Sequence, residues 1–195
     1  METQSEEYAR HLKGKYHAGR FLYLSSIVYP SYVRELFRGE VWDLGCGLGE
    51  FLLYCRKRNI VGFGIDSNPY FVKECQGRGL SVFLDNIISP HVLPKGIKNA
   101  VCDNVLEHLS IEEIRLFLSS LKTKMIPGGV LLIVVPGLKG YARDPTHKTY
   151  VDRRTVEELC REMDLDLTKV FYHPVHARFL GDIFYLNMTI LKVRF

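Results

Sequence analysis

Val41-Trp42-Asp43-Leu44-Gly45-Cys46-Gly47-Leu48-Gly49-Glu50 decides the fold. A short apolar run ends in an acidic residue, and glycines follow at every second position. Phe51-Leu52-Leu53-Tyr54-Cys55 then opens a helix. Strand, glycine loop and helix is the order in which an open α/β sheet lets a ligand meet bare backbone. The spacing restricts that ligand. A dinucleotide loop reads G-x-G-x-x-G and sets a pyrophosphate on the helix dipole. Here Gly45-x-Gly47-x-Gly49 is one residue shorter, and Glu50 stands where the last glycine belongs. Glu50 and Asp43 would repel a diphosphate and suit a ligand with cationic groups.

Downstream of the loop, strands and helices alternate. Residues 40–44 read as a first strand, 48–58 as a helix and 60–65 as a second strand, with Asp66 at its end. Ser67 or Asn68 caps the next helix, and Pro69 takes its first turn, where a missing N–H costs nothing. Residues 80–84 form a third strand ending in Asp85-Asn86, and 99–102 a fourth ending in Asp103-Asn104. Ser110-Ile111-Glu112-Glu113 is a capping box for a helix reaching Lys124. Pro127-Gly128-Gly129 reads as a turn before an apolar strand over 130–135. A polar loop over 136–151, a helix over 155–163, a strand over 165–172 and a closing strand within 179–195 complete the chain. This alternation predicts an α/β fold, a doubly wound and mostly parallel sheet with helices on both faces.

Upstream, residues 4–13 read as a short helix, with breaks at Gly14 and Gly19 around Lys15-Tyr16-His17. Residues 20–38 read as two helical pieces meeting at Pro30, the second ended by Gly39. Residues 1–39 are thus expected as an N-terminal helical lead-in, part of the same domain as 40–195, with packing as its role.

The 195 residues are 47% hydrophobic and 25% charged, which fits one globular domain. The net charge of +4 is spread without a basic block, so there is no strong nucleic-acid signal. Cys46, Cys55, Cys75, Cys102 and Cys160 are odd in number and not closely spaced. They predict buried free thiols in a reducing cytoplasm, with neither disulfides nor a zinc site. His173 and His176 lack a third ligand at useful spacing, so no metal site is read there. The acidic N-terminus is unlike a secretory signal, and no run approaches the roughly 18 apolar residues of a transmembrane segment. A soluble cytoplasmic protein is expected.

Asp43, Asp66 and Asp85 end three successive strands and converge on one crevice, where open α/β sheets bind ligands. Asp66 is placed to accept ribose hydroxyls, and Asp85 to accept from an exocyclic amine. The succession Asp43-Leu44-Gly45-Cys46-Gly47-Leu48-Gly49, Gly64-Ile65-Asp66, Asp85-Asn86, Asn104-Val105-Leu106-Glu107-His108 and Pro127-Gly128-Gly129 resembles the ordered motifs of class I S-adenosylmethionine-dependent methyltransferases. The resemblance spans about residues 40–136. It implies a seven-stranded sheet with an antiparallel last strand and S-adenosyl-L-methionine as cofactor. Gly45, Cys46, Gly47 and Gly49 would admit the methionine moiety, with Asp43 acting on its amino end. Asp66 would hold the ribose and Asp85 the adenine, near Asn86, while Asn104 and Leu106 line the other side.

The acceptor is read from Tyr141-Ala142-Arg143-Asp144-Pro145-Thr146-His147-Lys148-Thr149-Tyr150, after the fifth strand. A similar Asp-x-Thr-His loop occurs in methyltransferases of bacterial polysaccharide and lipid-saccharide pathways. Methyl transfer to a hydroxyl needs in-line approach and a base, a task suited to His147. Asp144 would orient it, and Arg143 or Lys148 would hold an anionic acceptor. Tying down the loop is the other reading of His147. His108 is a second candidate base or a helix-opening residue, and Tyr8, Tyr16 and Tyr150 are candidates to wall a sulfonium. The expected function is O-methylation of a saccharide or other hydroxylated acceptor. An RNA or protein acceptor, or a non-catalytic partner subunit that binds the cofactor, are the alternatives. Asn68-Pro69-Tyr70 follows the second strand, so it is a helix start and not an amino-methyltransferase motif.

Overall fold

A computed structural model describes residues 3–15, 18–173 and 188–195 of the chain. Seven strands form one sheet: β1 (Val41–Leu44), β2 (Gly62–Asp66), β3 (Ser81–Leu84), β4 (Ile97–Asp103), β5 (Met125–Pro136), β6 (Asp166–His173) and β7 (Met188–Arg194). Their order is β3-β2-β1-β4-β5-β7-β6, with β7 antiparallel to both of its neighbours. The chain winds outward from β1 to β3 and returns to β4 beside β1, so the strand order reverses between β1 and β4. A doubly wound sheet opens its ligand crevice there. Val130, Leu131, Leu132, Ile133, Val134 and Val135 are all buried, as befits a strand covered on both faces.

The helices are α1 (Glu6–Lys15), α2 (Ala18–Tyr23), α3 (Tyr29–Glu35), α4 (Glu50–Lys57), α5 (Pro69–Gly77), α6 (Ile111–Lys122), α7 (Leu138–Tyr141) and α8 (Arg153–Glu162). Local chemistry sets their starts. Asn68 caps α5 by accepting from the Tyr70 N–H, and Ser110 and Glu113 form both bonds of the capping box on α6. Asp152 accepts from the Thr155 N–H at the start of α8.

Three sequence expectations are corrected. The helix after the glycine loop starts at Glu50 and not Leu48, because Gly49 occupies the cap with φ +69°. The two helical pieces expected to meet at Pro30 meet at Val28–Tyr29, with Pro30 in the first turn of α3, where its missing N–H is tolerated. A π turn over Leu24–Val28 joins α2 to α3, and the Tyr29 N–H donates five residues back to Leu24 O. Pro127-Gly128-Gly129 is no turn between elements. Ile97 pairs with Met125 and Asn99 with Val130, so five residues of β5 pass two of β4 in a bulge, with Gly128 at φ +78°. The loop after β5 also carries the one-turn helix α7.

The closing strand expected within 179–195 is β7, while residues 179–187 of that range, Tyr16, His17 and His176 lie outside the described residues. No described helix is long and apolar enough to cross a membrane.

Candidate active site

The glycine loop is pinned to the end of β2. Gly45 and Cys46 both donate N–H bonds to Ile65 O, at 2.8 and 3.1 Å, and the Gly47 N–H donates to Asp66 Oδ2 at 2.8 Å. Gly45 is required by space as well as by backbone, and Gly49 chiefly by its backbone, at φ +69°. At φ +79°, a β-carbon on Gly45 would meet Val105 Cγ2 at 2.5 Å, and one on Gly49 would meet Leu80 at 2.7 Å. Gly47, at φ +50°, differs: nothing lies within 4 Å of its β-carbon position. That bare face is open to a ligand. Cys46 turns its side chain away into a cluster with Leu52, Val72 and Cys75, so its contribution to a ligand falls to its main chain.

The carboxylates take unequal positions. Asp43 is buried, and burial together with Asp103, Cys75 and Asp66 nearby holds it well above the usual carboxylate range. Asp103, which sequence reasoning did not single out, accepts from Tyr32 Oη at 3.0 Å and from Asn104 Nδ2 at 2.7 Å. Burial still pushes it up to about 6. Two carboxyl groups that burial disfavours as anions create a place where positive charge is stabilised. Asp66 accepts from the N–H groups of Gly47 and Asn68, both at 2.8 Å, and each oxygen keeps acceptor capacity. Asp85 is committed to its own loop, accepting from the N–H groups of Asn86, His91 and Val92, which outweigh burial and lower its pKa. Asn86 and Asn104 are exposed, and Asn104 sits at φ +54°. The Leu106 side chain belongs to the core, so a role toward a ligand falls to its main chain. Glu50 pairs with Arg20 at 3.0 Å, which offsets the charge expected to repel a diphosphate.

A second group forms where the loops after β4 and β5 meet. Glu107 O accepts from the Lys148 and Thr149 N–H groups at 2.7 and 3.2 Å, and Thr149 Oγ1 donates to Leu109 O at 2.6 Å. These bonds set His147 beside Glu107 and His108. His147 Nδ1 lies 2.8 Å from Tyr141 O, and the ring stacks on Tyr141, as a tie for the loop requires. The Asp144 carboxylate does not meet His147. It accepts from Thr146 Oγ1 at 2.6 Å, and Thr146 Oγ1 lies 3.0 Å from His108 Nδ1, so Asp144 positions His108. Burial, then the neighbouring His147, lowers the His108 pKa. Glu107, quoted in the sequence within the Asn104–His108 motif but given no role there, is 1% exposed and pushed up to about 8, chiefly by burial and then by Asp103 and Asp144.

The lead-in joins the site. Asn68 Nδ2 donates to Thr3 O and Ser5 O, fixing the start of α1 on the end of β2. Tyr8 of α1 then lies edge-on to His108 and to Phe71, with its hydroxyl pKa raised by burial and by Asp144, Glu107 and Asp66. Tyr150 instead packs edge-on against Tyr141. Tyr8 is one of three candidate tyrosines in the sequence, and nothing in the spacing of residues 1–39 sets it apart, because a long-range fold-back leaves no local pattern.

Residues 29–170 match a family described as methyltransferase domain. The chain belongs to that family. It is an enzyme of the α/β methyltransferase fold. A S-adenosylmethionine-dependent methyltransferase from Archaeoglobus fulgidus superposes with a TM-score of 0.68 at 20% identity, over 90% of this chain and 99% of that one. Magnesium protoporphyrin IX methyltransferase from Synechocystis PCC 6803, with bound SAH, gives 0.71 at 14% identity, over 98% and 95% of the two chains. Among curated proteins, a 23S rRNA (uracil(747)-C(5))-methyltransferase of Vibrio cholerae is 33% identical over 57 residues, 29% of this chain. That match spans only 15% of the length of the rRNA enzyme. The cleft presents a bare face at Gly47 and, beside it, buried carboxyl groups of the kind that the cationic end of a ligand needs.

Proposed function

We propose that this methyltransferase acts on a hydroxyl oxygen of a small acceptor, of the saccharide or lipid-linked saccharide class. S-adenosylmethionine supplies a methyl group made electrophilic by its sulfonium. The acceptor oxygen forms the new O–C bond as the C–S bond breaks, the bonding pair stays on sulfur as a thioether, and the hydroxyl proton leaves to a base. In this reading Gly45, Cys46, Gly47 and Gly49 admit the methionine moiety with their backbone, and Asp43 and Asp103 face its cationic end. Asp66 accepts from the ribose. Asp85 shapes the adenine end together with Asn86, and Asn104 and the Leu106 main chain close the other side.

One observation carries the acceptor assignment. His147 Nδ1 sits on a main-chain carbonyl, so it bears the ring proton and leaves Nε2 with the lone pair, in a cluster of proton-accepting groups on the carboxyl edge. An oxygen acceptor must lose a proton, and this is the group able to take it. His108 is the second such ring, with Asp144 as its positioning residue. Five buried free thiols support a cytoplasmic setting. The substrate of the rRNA enzyme is no guide, since the shared segment is a small part of that protein.

Incubation with methyl-labelled S-adenosylmethionine and a panel of hydroxylated saccharides tests this. Labelled saccharide is expected, and His147→Ala should lower turnover at least about 100-fold while donor binding holds. Label entering only RNA or protein would sink the acceptor class.

A further inference from the structure

Glu107, His108 and His147 each present one ligand atom within 4.8 Å of the other two. His147 Nε2 lies 3.9 Å from Glu107 Oε1. Both imidazoles are oriented by bonds at the opposite ring nitrogen. His147 Nδ1 lies on the Tyr141 carbonyl. For His108 the logic runs through Thr146. Its hydroxyl hydrogen is used on Asp144 Oδ1, so toward His108 Nδ1 the Thr146 oxygens are acceptors, and Nδ1 must carry the proton. Both rings therefore keep an Nε2 lone pair, and that of His147 lies toward Glu107. A histidine that donates one N–H to a carbonyl or a carboxylate-linked group while offering its other nitrogen has the arrangement of a metal ligand. The carboxylate supplies the independent sign. Glu107 Oε2 is buried and has no hydrogen-bond partner among the described residues. Such an oxygen is costly to bury unless a cation or donor reaches it.

We infer that Glu107, His108 and His147 form a binding site for one divalent transition ion. Two imidazole nitrogens and one carboxylate suit Zn²⁺, Mn²⁺, Fe²⁺ or Co²⁺, whereas Mg²⁺ and Ca²⁺ favour all-oxygen sets. Ligand atoms around an ion with bonds of about 2.1 Å stand roughly 3 Å apart, so side-chain adjustments of about an ångström close the site. Three protein ligands leave coordination positions open for water or an acceptor oxygen. The ion's part in the reaction rests on the O-methylation reading: without the ion His147 takes the hydroxyl proton itself, and with it His147 is a ligand, the ion would acidify the hydroxyl by Lewis acidity, and the proton would pass to water. The site itself does not rest on that reading.

Untagged full-length chain, stripped with chelator and desalted, is titrated with Co²⁺ and with Zn²⁺. Uptake is read by metal analysis after gel filtration and by the visible Co²⁺ spectrum. One equivalent should bind, Glu107→Gln and His147→Ala should weaken it by about 100-fold or more, and Thr146→Val by about ten-fold. Circular dichroism checks that the variants fold, and the wild-type titration stands without them. No retained Co²⁺ or Zn²⁺ on the wild-type chain, or unchanged affinity in the Glu107 and His147 variants, overturns the site. Bound Co²⁺ with no saccharide methylated leaves the site standing and removes the O-methylation reading. Full saccharide methylation in excess chelator keeps the O-methylation reading and removes the ion from the reaction, while the titration alone decides the site.

Discussion

The proposed donor side and the proposed acceptor side of the cleft share one edge of one sheet but are satisfied differently. On the donor side, Asp66 and Asp85 bind the N–H groups of their own or adjacent loops, and the glycine backbone is pinned to β2. On the acceptor side, groups from distant loops meet one another. Thr146 links Asp144 to His108, and Glu107 Oε2 finds no partner among the described residues. A carboxylate held by main-chain donors fixes a pocket's shape before a ligand arrives. A buried one left open is held there by the surrounding fold, and its partner must come from outside.

The largest expected effect tests whether the donor side is rigid. Gly45→Ala adds a left-handed alanine and a clash with Val105, so unfolding in denaturant should show a loss of about 2–4 kcal/mol. Gly47→Ala carries only the backbone cost, about 1–2 kcal/mol, yet should weaken donor binding by at least about ten-fold because its β-carbon enters the open face. Unchanged affinity there would move the donor elsewhere.

Asp103 lies between the two sides. Its pKa is raised from 3.8 to about 6, so the folded chain keeps a proton that the unfolded chain releases. Its contribution to stability is present below the unfolded value and is lost as pH rises through the folded one, by up to about 3 kcal/mol. Urea titrations across that window should give a flatter profile for Asp103→Asn than for wild type, and parallel profiles would refute the assignment.

Asp66→Asn removes a charged acceptor and should weaken S-adenosylmethionine binding by about 10- to 100-fold, read by calorimetry. The smallest effect belongs outside the contrast. The exposed Lys13–Glu74 pair joins α1 to α5 at 3.0 Å, and Lys13→Ala should cost at most about 0.5 kcal/mol in thermal unfolding. A larger loss would mean that α1 holds the cleft through this pair.

The parts legible in the sequence are those whose cause is local. Three glycines at alternate positions, the capping box at Ser110, Asn68-Pro69 and the apolar run over 130–135 each name their structure through backbone rules that act within a few residues. The acidic strand ends were legible as a set because parallel strands bring their carboxyl ends to one edge. Asp103 was passed over because an acid at a strand end looks the same whether it faces solvent or, as here, a buried tyrosine hydroxyl. The Pro127-Gly128-Gly129 bulge was misread because Pro and Gly mark turns and strand irregularities alike.

By itself the sequence determined the strand-to-helix loop with its exposed backbone, through glycines that tolerate positive φ. Tertiary structure alone decided that α1 folds back to place Tyr8 beside His108. It also decided that Asp144 works on His108, and that Glu107 lies buried against His147. Those contacts join residues far apart in the chain, and their energy depends on burial and on partners that only the assembled sheet provides.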